Sequence, residues 1–107
     1  MGGATRQVKV IAWTDAARES FDAFLEQQLA YRRSAAIQAR DDVRKALTLI
    51  IDRPGVGRRC EWPGLKRWSL LRWRKIIIYR EMNEGIRIIA FYDARQDLMA
   101  VDPRLNE

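Results

Sequence analysis

The chain has 107 residues, 48% of them apolar and 32% charged, with 20 Lys and Arg against 14 Asp and Glu and no histidine. That is enough for one domain with one modest core, and with four tryptophans it is not the composition of a disordered chain, which cannot bury enough apolar surface to offset its ordering entropy. One cysteine and no histidine exclude an internal disulfide, thiolate–imidazole zinc sites and every histidine-based acid–base or nucleophilic mechanism.

The net charge of +6 points to an anionic partner: nucleic acid, an acidic protein segment or a membrane surface. A merely solvated basic surface is an equal alternative. No apolar run approaches the roughly 20 residues of a membrane span, and Met1–Arg6 lacks a hydrophobic signal region. A cytoplasmic protein is expected, its one thiol, Cys60, kept reduced.

Residues 1–6 read as a flexible tail, 7–102 as the domain and 103–107 as a second tail. Gln7–Trp13, rich in Val and Ile, reads as the first strand. Thr14 or Asp15 then caps a helix, either side chain being a good acceptor for free backbone N–H groups. Phe21, Phe24, Leu25 and Leu29 recur at helical spacing and form one stripe to bury. A short connection, Tyr31–Ser34, leads to a second helix from Ala35 to about Ile51, with Ser34 as its expected cap. Ala39, Val43, Leu47, Ile50 and Ile51 form its stripe, and Asp52-Arg53-Pro54-Gly55 ends it. The two helices make an α-hairpin.

Val56–Leu65 is irregular, punctuated by Gly57, Pro63 and Gly64. Strands are expected at Lys66–Leu71, Lys75–Glu81 and Ile86–Tyr92, the last two joined by a tight turn at Met82–Gly85, where Asn83 and Gly85 can adopt positive φ. The tail after Arg95 has room for one short helical turn or an edge strand, ending at Asp102-Pro103. The order strand–helix–helix–strand–strand–strand gives an α+β domain, an α-hairpin across one face of an antiparallel sheet. So short a chain is expected to leave the other face open, carrying the cations. Glu19, Asp22 and Glu26 are read as a solvated helix face, and Cys60 as an ordinary thiol.

A first strand ending in VIAWTDAARESFDAF, RPGVGRRCEWPGLKRW after the α-hairpin, and RKIIIYREMNEGIRIIAFYDAR together resemble the RelE/ParE family of bacterial toxins over about residues 7 to 98. The resemblance rests on the Trp13-Thr14 step into the first helix, the Pro54–Gly57 loop, the strand ending in Tyr79-Arg80 and the final Ala94-Arg95. It implies the toxin half of a type II toxin–antitoxin pair. Its partner would be an acidic, partly disordered antitoxin that wraps and neutralises it in a hetero-oligomer. RelE-like members cut messenger RNA in the ribosome, and ParE-like members poison DNA gyrase. Arg74-Lys75 stands where ParE-like relatives often have Pro-Tyr, and Tyr92 where many relatives have histidine.

A RelE-like mechanism would assign catalysis to Arg67, Arg74, Lys75, Tyr92 and Arg95: guanidinium forks for phosphate and a phenol for proton transfer or base stacking. No histidine or evident carboxylate base accompanies them, and the balance favours a ParE-like toxin. That reading needs a binding surface, here Arg58, Arg59, Trp62, Arg72, Trp73, Arg80 and Arg87, since Trp and Arg are frequent interface anchors. A non-enzymatic basic binding module, or a degenerate toxin, is the remaining alternative. None of these readings calls for a metal or cofactor.

Overall fold

The computed structural model describes residues 9–96 and 102–107. A five-stranded sheet, in the order β1-β5-β4-β3-β2, carries a helical hairpin. The strands are β1 (Val10–Trp13), β2 (Arg58–Arg59), β3 (Leu65–Leu70), β4 (Lys75–Met82) and β5 (Gly85–Asp93), and the helices are α1 (Asp15–Tyr31) and α2 (Arg33–Asp52). Gln7 and Val8, expected in the first strand, lie outside the described residues.

The sheet is mixed. β2, β3, β4 and β5 are antiparallel in turn, but β1 runs parallel to β5, so the antiparallel expectation is corrected at that edge. The cause is the two-residue strand β2, whose Arg58-Arg59 lies in the stretch expected to be irregular. Counting each connection as a reversal, β2 adds one turn of direction between β1 and β5, and an even number of reversals leaves the two strands parallel.

Thr14 anchors the start of α1. Its hydroxyl accepts from Ala17 N at 3.1 Å and donates to Ile89 O at 2.9 Å, so the cap also fastens the helix to the sheet. The Ile89 carbonyl is reachable because the β4–β5 register shifts between Ile78 and Tyr79, leaving Ile89 without an opposite residue. The link between the helices is a single extended residue, Arg32. Ser34 therefore sits inside α2 and caps nothing.

The larger core lies between helices and sheet. Phe24 from α1, Val43, Leu47 and Ile50 from α2, and Ile77, Tyr79, Ile88 and Phe91 from the strands are all buried. Each such aliphatic side chain contributes about 1.5–3 kcal/mol on burial. Leu29 departs from the expected stripe: it is exposed and lines an outer groove of the hairpin with Ile37. Tyr79 is fully buried yet hydrogen-bonded, donating to Pro54 O at 2.7 Å and accepting from Gly57 N at 2.9 Å. It pins the turn after α2, and a side chain at Gly57 would collide with its ring.

The second face is not open. Trp62, Leu65, Ile76, Ile78, Ile89 and Ala90 form a smaller buried cluster there, with Cys60 and Tyr92 packed against it. The runs Ile76–Ile78 and Ile88–Ala90 are apolar at consecutive positions, the pattern of strands buried on both sides. Residues 103–107, read from sequence as a tail, lie against this face. Pro103–Asn106 forms a 3-10 turn capped by Asp102, Pro103 is fully buried, and Asn106 Nδ2 donates to Ile89 O at 2.9 Å. In the β4–β5 turn the positive φ falls on Gly85, at 150°, and not on Asn83. A Cβ at Gly85 would strike the Val10 backbone, so the glycine is also what lets β1 approach β5.

Candidate functional site

The cationic chemistry gathers where β4 begins and β5 ends. Leu71–Trp73 makes one 3-10 turn and Arg74 follows in the left-handed region at φ 53°. Two backbone bonds hold it there: Arg74 N donates to Leu71 O at 3.3 Å, and Arg74 O accepts from Ala94 N at 2.7 Å. The Arg74 side chain is exposed at this corner. The next residue, Lys75, pairs in register with Asp93 and places its Nζ 3.7 Å from Asp93 Oδ2. That ammonium also lies over the rings of Phe24, at 5.3 Å, and Phe91, at 6.0 Å, favourable seats for a cation.

Asp93 is gripped by Arg95 through both carboxylate oxygens, at 3.0 Å from Nε and 2.8 Å from the terminal nitrogen, and through the Arg95 backbone N–H at 2.9 Å. These bonds hold its carboxyl far below the usual range and raise the guanidinium in turn. Asp93 is thus a locked anion and a poor base. Ser20, Phe24, Gln27, Lys75, Asp93 and Arg95 line an open recess of about 470 Å³ between α1 and this end of the sheet.

Tyr92 stands apart from this recess. It is opposite Ile76 in the ladder, whereas Lys75 and Asp93 share the helix-covered face, because successive strand residues point to opposite sides. Its hydroxyl is enclosed without a hydrogen-bond partner among the described residues. Burial, with a smaller contribution from the Asp102 charge, raises its pKa and keeps it protonated. Arg67 is opposite Ile78, two strands from Tyr92 on that second face. The five residues of the nuclease reading are therefore divided: Lys75 and Arg95 at the recess, Arg74 on the corner, Tyr92 and Arg67 behind the sheet.

The residues expected to bind a partner also separate. Trp62 is buried in the second cluster. Trp73 donates its indole N–H to Asp42 Oδ2 at 2.9 Å, meets Phe24 edge-on at 5.7 Å, and brings Arg72 to 3.4 Å from the same oxygen. The Trp73 hydrogen bond is the main cause of the lowered Asp42 pKa. Both tryptophans thus help close the fold. Arg58 and Arg59 are exposed on β2. Arg80 and Arg87 oppose each other at the hairpin end, where Glu107 holds Arg80 in a bidentate pair at 2.7 and 2.8 Å. That pair lowers Glu107 and raises Arg80. Asp93, Asp42 and Glu107, which organise these cations, were not singled out in the sequence; an acid two residues before Arg95 is the only local signal for any of them.

Among the described residues no group of three or more His, Cys, Asp or Glu is placed to hold a metal, and no helix is long and apolar enough to cross a membrane. The fold resembles that of a chain in a solved structure described as the chromosomal ParDE TA system from P. aeruginosa, with a TM-score of 0.69 at 22% identity over 83% of this chain and 99% of that one. Two helices packed on a five-stranded mixed sheet, with this order of elements, therefore define the fold as ParE-like. A search of curated proteins finds no match. The family model of the ParE toxin of type II toxin-antitoxin systems, parDE, matches residues 11–98, and the chain belongs to that family.

Proposed function

We propose that this ParE-family chain inhibits growth by binding and poisoning DNA gyrase in the cytoplasm, and that a cognate acidic antitoxin neutralises it. The observation that carries the binding reading over RNA cleavage is the division of the cleavage set. The Tyr92 phenol is enclosed on one face, Lys75 and Arg95 sit on the other, and the neighbouring carboxylate is held ionised by Arg95. General acid–base catalysis needs both groups within reach of one scissile phosphate. A target-binding toxin asks only for a rigid scaffold and complementary charge. The exposed guanidinium of Arg74 and the Lys75–Arg95 recess form the proposed target face. An acidic antitoxin is favoured by the net charge of +6.

The test is to induce the chain without its partner and pulse-label DNA and protein synthesis. DNA synthesis failing first, with broken chromosomes, agrees with gyrase as the target. Protein synthesis failing first replaces this reading with a ribosome-dependent nuclease. No change in either marks a degenerate toxin or a plain binding module.

A further inference from the structure

Strand register lines up arginines on the second face of the sheet. Arg58 of β2 stands opposite Arg67 of β3, and Arg80 of β4 stands opposite Arg87 of β5. Arg67 is itself opposite Ile78, and Arg80 opposite Leu65, so the two pairs meet as diagonal neighbours across β3 and β4. Ile78 and Leu65 are both buried in the cluster beneath that face, which places the arginines there with them. The result is a row crossing four adjacent strands, roughly 14 Å from end to end at the usual strand spacing. Like charges directly opposite one another weaken a sheet, and this row sets them so twice. Only Arg80 is neutralised, by Glu107. Arg58, Arg67 and Arg87 have no ion-pair partner among the described residues.

We infer that this arginine row binds the phosphate backbone of duplex DNA without regard to base sequence. A guanidinium fork matches phosphate oxygens bidentately. The row is longer than the B-form major groove is wide, about 12 Å, so its two ends can meet phosphates of both strands. A single strand fits less well, because its sites add exposed aromatic platforms to the cations. On this face Trp62 is buried and the Tyr92 hydroxyl is enclosed. An acidic polypeptide also fits less well: protein interfaces centre on aromatic or apolar anchors, and the apolar side chains in the middle of this face are already packed inward. The row lies on the face opposite the Lys75–Arg95 recess, so the inference adds a second contact and does not rest on the gyrase reading.

The probe is a fluorescein-labelled DNA duplex of about 20 base pairs, titrated with the full chain and read by anisotropy from about 50 to 200 mM NaCl. Three arginines on three phosphates predict an affinity that falls about 40-fold over that range. Arg67→Gln or Arg87→Gln should each reduce the fall to about 12-fold. Arg44→Gln, the same change of net charge at an exposed position of α2, should leave it unaltered. Glu107→Gln should act in the opposite direction, because it releases Arg80: the fall steepens to about 150-fold and binding at the lower salt tightens. Unlabelled single-stranded DNA, an RNA duplex and polyglutamate should all compete less well than the DNA duplex. No binding, the same response to Arg44→Gln as to Arg67→Gln, no gain from Glu107→Gln, or better competition by any of the other three polyanions would each overturn the inference. Failure here leaves the pulse-labelling result untouched, so the two readings fall separately.

Discussion

The two faces of the sheet are closed by different means. The helix-covered face is sealed by regular structure: two stripes of apolar side chains lie over Ile77, Tyr79, Ile88 and Phe91. The second face is sealed by irregular pieces, the loop carrying Trp62 and the turn at Pro103–Asn106. Polar groups follow the same division. On the first face Tyr79 and Asp42 are committed to holding the fold together. On the second, Arg58 and Arg67 are left without ion pairs among the described residues. Stability thus concentrates on one side, and unassigned charge lies on the other side and along the sheet rim.

The largest effect should come from the sealed face. Ile77→Ala, at a position with no solvent exposure, should cost about 2–5 kcal/mol, read from urea unfolding. A loss under 1 kcal/mol would mean that this core repacks freely and is not the rigid half. Tyr79→Phe comes next. It strands Pro54 O and Gly57 N near the interior and should cost about 1–3 kcal/mol, with faster amide exchange at Gly57.

Much of this division was legible in the sequence, though not all of it in the right place. The α-hairpin and the β4–β5 hairpin follow from helical spacing around Phe24 and Val43 and from the branched runs beside Gly85. The covering of the second face was written in Ile76-Ile77-Ile78, three consecutive apolar residues that an alternating strand would not have. β2 was invisible, because two arginines have no strand-like pattern and pair only through the backbone. The site was less legible still. The Lys75–Asp93 ion pair depends on cross-strand register, and Asp42 meets Trp73 from 31 residues away in sequence. Tyr92 is near Arg95 along the chain, but one step of strand alternation sets it on the side opposite Asp93, the residue that Arg95 grips.

Two smaller tests sharpen the comparison at its polar anchors. Asp42 has a folded pKa below its ordinary value of 3.8. Its contribution to stability is therefore present above that ordinary value and is lost as pH falls through the lowered one. Asp42→Asn should flatten this acid limb of the stability–pH curve, followed by thermal melts from pH 6 downwards. The Arg80–Glu107 pair is a partly exposed ion pair, and Glu107→Gln should cost no more than about 1 kcal/mol. A loss several times larger would make the C-terminal turn a main support of the domain.

Arg74 should give the smallest change in stability. Because its φ of 53° suits glycine better than a side chain, Arg74→Gly should leave stability unchanged or raise it by up to about 1 kcal/mol. Toxicity should fall in the same variant if the exposed guanidinium contacts the target.

The central claim is that this chain acts by binding its target and not by cutting RNA. Its most direct test places the purified chain in two reactions: supercoiling by purified gyrase, and translation of a defined messenger on ribosomes. Loss of supercoiling with trapped double-strand breaks, and an intact messenger, is the predicted result. Unimpaired supercoiling with a messenger cut at ribosome-bound codons would contradict the account, and would require Tyr92 and the Lys75–Arg95 recess to come together in a conformation other than this one.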